Sequence, residues 1–125
     1  MNRAAIEMGR RMPVESYLGA IRRGHDFARR FANIWNRFDV LLTPALASAA
    51  PKLGLFPMDH EDVALHVDRM TRLAPFAGTF NLTGSPALVV GVSQTDTGLP
   101  LAVQLAGDIG DDPQLLALGE ELVRV

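Results

Sequence analysis

The chain has 125 residues, of which 48% are hydrophobic and 21% are charged, so it has the size of one ordinary domain and enough apolar side chains for a core. The absence of cysteine excludes a disulfide scaffold, a thiolate nucleophile and a cysteine-ligated metal site. The net charge of -2 is too close to neutral for a typical nucleic-acid-binding protein, so no nucleic-acid partner is expected.

The first predicted element is a long amphipathic helix that begins at Pro13, since proline is favoured in the first helical turn. Its apolar residues recur at steps of three and four, which predicts a helix of about 24 residues with one broad apolar face. These residues are Tyr17, Ile21, Ala28, Phe31, Trp35 and Phe38. Residues 1–38 carry eight arginines, mostly off that stripe, and we interpret them as a solvated helix face.

A short strand and a second helix are predicted next. Residues 39–43 form a buried strand that Pro44 closes, and residues 44–58, rich in proline and glycine, form an irregular loop. Asp59 is the expected N-cap of the second helix, which ends before Pro75. Its apolar line consists of Val63, Val67 and Met70.

The last third of the chain predicts a turn-rich segment, a hairpin and a final helix. Residues 76–85 are dense in small and turn-forming residues. Residues 86–92 are apolar on both faces, which predicts a strand covered on both sides, and residues 101–106 pair with it in an antiparallel hairpin. Asp112 is the expected cap of the closing helix, with Pro113 in its first position. A strand that is covered on both faces normally belongs to a wide sheet, whereas the strands predicted here make a narrow one. The sequence therefore predicts an α/β fold that is part of a larger structure.

The histidines do not predict a metal site. His60 and His66 are six residues apart, whereas a spacing of four would align two imidazoles on one helix face. We therefore expect both to be surface residues, and His25 to be exposed on the first helix. No cofactor or metal is expected.

No activated nucleophile is evident either. No serine lies in a G-x-S-x-G sequence, and Ser85 between Gly84 and Pro86 reads as a turn serine. Lys52 lies in the proline-rich loop, where nothing local would desolvate it. No apolar run approaches the ~20 residues of a membrane span, and the first residues lack the apolar core of a signal peptide. A soluble cytoplasmic protein without a membrane partner is expected.

Three stretches in order carry a family resemblance: Phe38–Pro44, Asn81–Ala87 and Gly98–Gly107. They resemble the C-terminal part of amidase signature family enzymes. That family includes bacterial amidases, the 6-aminohexanoate cyclic dimer hydrolases and the A subunit of the glutamyl-tRNA amidotransferase. The resemblance covers essentially the whole chain. It implies that residues 1–125 form the C-terminal portion of one amidase domain, with a mixed sheet flanked by helices.

The resemblance also implies a function and a missing part. The family hydrolyses small-molecule amides with a serine nucleophile, a second serine and a lysine base, all in the N-terminal part of the enzyme. This chain has no glycine–serine run and Lys52 falls in the wrong place, so no catalytic residue is assigned and the chain alone is expected to be inactive.

The resemblance places the turn formed by Asn81, Thr83, Gly84 and Ser85 near the substrate pocket, so these four are the expected substrate-binding residues. Asn81 and Gly84 tolerate left-handed backbone angles and therefore suit a tight turn. The alternative interpretation is that these residues only shape the backbone and do not contact substrate.

Two further expectations concern substrate and partners. Glutamine-using relatives carry an acidic residue shortly before the asparagine, whereas Ala74–Ala77 is uncharged, which favours a less polar amide. Without the rest of an amidase, the strand at 87–92 and the stripe of Phe27, Phe31, Trp35 and Phe38 would lack partners, so self-association is expected.

The alternative function is a non-catalytic α/β binding or interaction module that folds alone.

Overall fold

Helices flank one small antiparallel sheet, which confirms the α/β class. The computed structural model describes residues 2–124. In chain order it contains α1 (Asn2–Arg10), α2 (Val14–Phe31), a 3₁₀ helix (Ala32–Asn36), β1 (Leu41–Pro44), α3 (Val63–Leu73), α4 (Ala77–Thr83), β2 (Ala87–Gln94), β3 (Pro100–Ala106) and α5 (Asp112–Val123). None of the helices in this part of the chain is long and apolar enough to cross a membrane.

The long N-terminal helix begins where the sequence predicts but is not continuous. α2 starts directly after Pro13 and ends at Phe31, and the chain then tightens into the 3₁₀ helix, as often happens at helix ends. Phe31 stacks on Phe27, with ring centroids 5.8 Å apart, and meets Trp35 edge-on at 6.0 Å. Helix α1 precedes this element and was not predicted.

The two middle helices correct the predicted boundaries. Helix α3 is capped by Asp62, whose Oδ1 accepts a hydrogen bond from the Leu65 backbone N–H at 2.9 Å, and not by Asp59. The segment expected to be turn-rich contains α4, whose buried Phe80 meets Phe31 of α2 edge-on at 6.2 Å. That aromatic contact stabilises a helix that the small residues of α4 would not predict.

The sheet has strand order β1–β3–β2, and both pairs are antiparallel. The predicted hairpin is confirmed, since β2 and β3 pair from Ala87 opposite Ala106 to Gln94 opposite Pro100. A register shift between Gly91 and Ser93 marks a bulge in β2.

The core lies between the sheet and α5. Its buried residues are Val90, Leu105 and Leu115, and Val40, Leu88, Val103, Leu118 and Leu122 pack around them. Helix α5 starts after Asp111, one residue earlier than expected, and Asp111 Oδ2 accepts a hydrogen bond from the Asp108 backbone N–H at 2.9 Å.

The other face of β2 is open within this chain. Val89, whose side chain points away from α5, is 56% exposed. The expectation that β2 is covered on both faces is therefore met on one face only by residues 2–124. The apolar side chains of β2 alternate between its two faces, and among residues 2–124 helix α5 packs on the face that carries Leu88 and Val90.

Candidate functional site

Two concave surfaces lie at opposite ends of α4. The smaller one, called here the turn pocket, has a volume of about 220 Å³. Thr83 and Ser85 line it from the C-terminal end of α4, Phe31 and Trp35 line it from the end of α2 and the 3₁₀ helix, and Asp108 lines it from the loop after β3. The pocket thus combines an aromatic wall, two short hydroxyls, a carboxylate and an arginine, Arg29.

The backbone of the turn explains why two of the predicted site residues come together. Gly84 ends α4 in the left-handed region, with φ of 76°, and its N–H donates to the Phe80 carbonyl at 2.9 Å. Thr83 Oγ1 accepts a long hydrogen bond of 3.4 Å from the Ser85 backbone N–H. The reversal at Gly84 therefore places the hydroxyls of Thr83 and Ser85 on one side.

Asn81 differs from the other three predicted residues. It lies within α4, is exposed and is not among the residues that line the turn pocket. No residue other than glycine has a positive φ between positions 2 and 124, so the left-handed angle expected for Asn81 is wrong. The helical hydrogen bonds of α4 hold Asn81 in right-handed geometry, and Gly84 alone supplies the left-handed one.

The larger concave surface, called here the sheet-face cleft, has a volume of about 420 Å³ and lies on the face of the sheet opposite α5. Ala74 and Ala77 form one wall, and Val89 and Gln104 form part of the floor. The remaining lining residues are Ala45, Leu46, Ser48, Ala50, Pro100, Leu101 and Ala102. None of these lining residues carries a formal charge, so the cleft suits an apolar or neutral group.

Gln104 is the polar side chain that the sequence analysis missed. It is only 4% exposed, and its Nε2 donates to Thr43 Oγ1 at 3.3 Å across the β1–β3 pair. A buried amide needs hydrogen-bonding partners, and Thr43 supplies one of them at this point of the cleft floor. The sequence feature that could have identified Gln104 is an amide side chain between Val103 and Leu105 in an otherwise apolar strand.

His60 and His66 lie close together, whereas the sequence analysis predicts two surface residues that do not align. His60 precedes α3, so the spacing of six does not separate the rings around a helix, and their centroids are 5.9 Å apart. Both rings are half-buried, and His60 Nδ1 accepts a hydrogen bond from the Asp62 N–H at 3.1 Å. Residues 2–124 contain no group of three or more side chains able to hold a metal ion.

Charge is distributed on the surface. The arginines of α2 are exposed, as predicted, and Arg29 pairs with Asp26 one turn away. Lys52 and His25 are also exposed. Exposed ion pairs of this kind contribute little to stability and do not form a site.

Comparison with known proteins identifies the family. The sequence model of the Amidase family matches residues 1–116. AmiC of Mycobacterium leprae (strain TN), which is named as an amidase, is 36% identical over 104 residues, covering 82% of this chain and 22% of that protein. AmiD of Mycobacterium tuberculosis (strain ATCC 25618 / H37Rv), also named as an amidase, is 30% identical over 123 residues, covering 98% of this chain and 25% of that protein.

Solved structures agree on the fold. The structure of a 6-aminohexanoate cyclic dimer hydrolase matches with a TM-score of 0.81 at 18% identity, over 94% of this chain and 26% of that one. A crystal structure of an amidase matches with a TM-score of 0.71 at 24% identity over the same shares. The chain therefore spans about a quarter of the length of these proteins, and it belongs to the Amidase family.

Proposed function

We propose that this chain supplies a wall of the substrate pocket in an enzyme that hydrolyses the carbon–nitrogen bond of a small-molecule amide. The Amidase family match over residues 1–116 supports the reaction class. The nucleophile and the base come from the part of the family's chain that these residues do not span. The chain is thus the C-terminal portion of one amidase domain, and we propose the cytoplasm as its compartment.

The sheet-face cleft is the observation that carries this proposal. Its volume of about 420 Å³ falls in the usual range for small-molecule sites, which are mostly apolar with a few placed polar groups. Gln104 would supply the polar group, because its amide can donate to a carbonyl oxygen and accept from an amide N–H. Uncharged Ala74 and Ala77 in the wall favour an amide with an apolar flank over glutamine.

The turn pocket, at the opposite end of α4 from the cleft, is proposed as a second part of the substrate site. Gly84 sets the direction of the chain, and the hydroxyls of Thr83 and Ser85 can form hydrogen bonds with a polar end of the substrate. Asn81, on the exposed surface of α4, would act at the rim. Because the family's nucleophile and base come from the part of the chain that these residues do not span, we assign Ser85 to binding and not to bond cleavage.

A chimera tests this function. The segment of Mycobacterium leprae AmiC that aligns with this chain is replaced by the chain, and amide hydrolysis is measured. Ala77→Leu should fill the cleft and raise KM for apolar amides by about fivefold or more, with kcat less affected. Gly78→Ala is the matched control, because nothing lies within 4 Å of an added Cβ there.

Two outcomes would contradict the proposal. A folded chimera that hydrolyses no amide would argue against the reaction class, and an unchanged KM in Ala77→Leu would argue against the cleft.

The isolated chain should hydrolyse amides and esters at the buffer rate. The alternative, a binding module without catalysis, requires that the isolated chain be a stable monomer.

A further inference from the structure

Gln104 lies on the central strand of the sheet, with a directly opposite residue on each side. These residues are Thr43 of β1 and Val89 of β2, so the three side chains form one row on the face of the sheet opposite α5. The side chain of Val89 has no polar atom, so Thr43 is the member of the row that can hydrogen-bond to the amide. The orientation of the Gln104 amide therefore depends on Thr43.

The hydrogen bond between these two side chains determines which end of the amide faces the sheet-face cleft. Gln104 Nε2 donates to Thr43 Oγ1 at 3.3 Å. Thr43 does not line the cleft, whereas Gln104 does, so the nitrogen is directed at a residue outside the cleft. The oxygen and the nitrogen of an amide diverge from one carbon atom, and the hydrogen bond therefore leaves Oε1 on the side of the cleft.

Gln104 Oε1 is unpaired and accessible. It accepts no hydrogen bond from residues 2–124. In this part of the chain the side-chain polar atoms that are both buried and unpaired are His60 Nε2 and His66 Nδ1. Oε1 is not one of them, so it keeps accessible surface although Gln104 as a whole is nearly buried. A ligand with an N–H or O–H group can satisfy this oxygen.

Ser48 also presents a hydrogen-bond acceptor to the cleft. Ser48 Oγ donates its single proton to the Ala49 carbonyl at 3.1 Å, so only lone pairs are left for a ligand. Among the residues of 2–124 that line the cleft, Ser48 and Gln104 are the polar ones, and the others are Ala, Leu, Val or Pro. The cleft thus combines apolar surface with acceptors, and this lining includes no carboxylate to favour an ammonium group.

We propose that Thr43 is a positioning residue that holds Gln104 Oε1 toward the cleft, so that the cleft selects ligands with an amide N–H. The inference rests on the proposed function, in which the cleft holds an amide with an apolar flank. A primary or secondary amide donates its N–H to Oε1, whereas an ester, a ketone or a tertiary amide has no N–H to donate. A site built to pair with an N–H discriminates against an analogue that lacks it, because the acceptor is then left unpaired.

The binding of two matched ligands to the AmiC chimera tests the proposal. The nucleophilic serine of the AmiC portion is replaced by alanine, so that binding is measured without hydrolysis. Hexanamide and 2-heptanone share the same alkyl group and carbonyl and differ in NH₂ against CH₃. NMR titration gives the Kd of each ligand, and the ratio of the ketone Kd to the amide Kd is compared among variants. The cost of removing each ligand from water is the same for every variant, so a change in this ratio reports the N–H contact.

Two variants should lower the ratio and two should not. Gln104→Met keeps the side-chain length but removes the acceptor, and the ratio should fall about fivefold or more. Thr43→Val keeps the β-branch but removes Oγ1, so the amide is free to turn its NH₂ toward the cleft, and the ratio should fall by a similar factor. Thr43→Ser restores the oxygen and should keep the ratio within about twofold of the parent chimera. Thr71→Val, on the exposed surface of α3, is the matched control.

The proposal is overturned if Gln104→Met or Thr43→Val, shown to be folded by circular dichroism, leaves the ratio unchanged, or if neither ligand binds the folded chimera. A fall in Thr43→Ser as large as that in Thr43→Val would also contradict it, because packing and not the hydroxyl would then be responsible. Failure of the proposed function is observed separately, as the absence of amide hydrolysis in a folded chimera that keeps its serine. Selective binding of hexanamide together with that absence would contradict the reaction class and uphold the N–H selectivity.

Discussion

Gly84 is the residue on which the geometry of the predicted binding turn depends. Its φ of 76° lies in a region that β-branched residues avoid, whereas nothing lies within 4 Å of an added Cβ. Any cost of substitution there is therefore backbone strain and not a steric clash.

Gly84→Val should lower stability by about 1–3 kcal/mol and reduce kcat/KM in the AmiC chimera, because valine resists a positive φ. Thermal unfolding and steady-state kinetics measure the two effects. Gly84→Asn is the control, since asparagine tolerates the left-handed region and should recover most of the loss. Equal effects of valine and asparagine would contradict the strain argument.

Ser85→Ala should leave turnover in the chimera within about threefold, because one hydrogen bond to a pocket-wall hydroxyl contributes roughly 0.5–1.5 kcal/mol. The measurement is kcat/KM with the protein shown to be folded by circular dichroism. Complete loss of activity in a folded variant would place Ser85 in the chemistry and refute its assignment to binding.

At the scale of the elements, the sequence and the structure assign the cap of α3 to different residues, Asp59 and Asp62. Asp62→Ala should destabilise the protein by about 1 kcal/mol, because Asp62 accepts the Leu65 N–H that the helix leaves unpaired. Asp59→Ala, at the originally predicted cap, should change stability by less than about 0.5 kcal/mol. The free energy of unfolding in urea measures both, and the reverse order would show that α3 begins earlier.

The packing of α5 on β2 depends on a close approach at Gly119. A Cβ added there would lie 2.5 Å from Leu88 Cδ2 and 3.3 Å from Val90 Cγ2. Gly119→Ala should therefore cost about 1–3 kcal/mol, even though alanine favours a helix. Gly78→Ala, in α4 with open space around it, is the matched control and should be neutral or stabilising in the same urea titration.

At the scale of the whole molecule, the apolar surface exceeds what the chain itself covers. Phe31 packs on Phe80, so that part of the predicted stripe has found a partner, but Phe27 and Phe38 remain exposed. Tyr17 and Leu18 of α2 are exposed as well. Patches of this kind promote association.

The isolated chain should therefore self-associate in a concentration-dependent way, as measured by size-exclusion chromatography with light scattering. Replacing Phe27 and Phe38 together by glutamate should shift it toward the monomer, whereas Asp59→Ala should not. A sharp monomer peak with cooperative thermal unfolding would instead support the independent binding module.

The strongest sequence predictions were those carried by local patterns. The start of α2 next to Pro13, the β2–β3 hairpin and the left-handed Gly84 are confirmed, because each depends on residues close together in the chain. Helix boundaries were less accurate: α3 begins later than expected and α4 replaces a turn. In α4 a contact with Phe31, far away in sequence, outweighs the weak helix propensity of the segment.

The candidate site divides in the same way. The sequence by itself determined the family motifs, the α/β class and the grouping of Thr83, Gly84 and Ser85, since these follow from spacing along the chain. Only the tertiary structure decided that Gln104 is buried on the floor of a cleft with Ala74 and Ala77, that His60 and His66 are neighbours, and that β2 keeps an open edge. The cleft and the β2 edge depend on pairing and packing between distant segments, for which no local pattern in the sequence encodes the partner. The two histidines meet because α3 begins only at Val63, a boundary that the sequence placed too early.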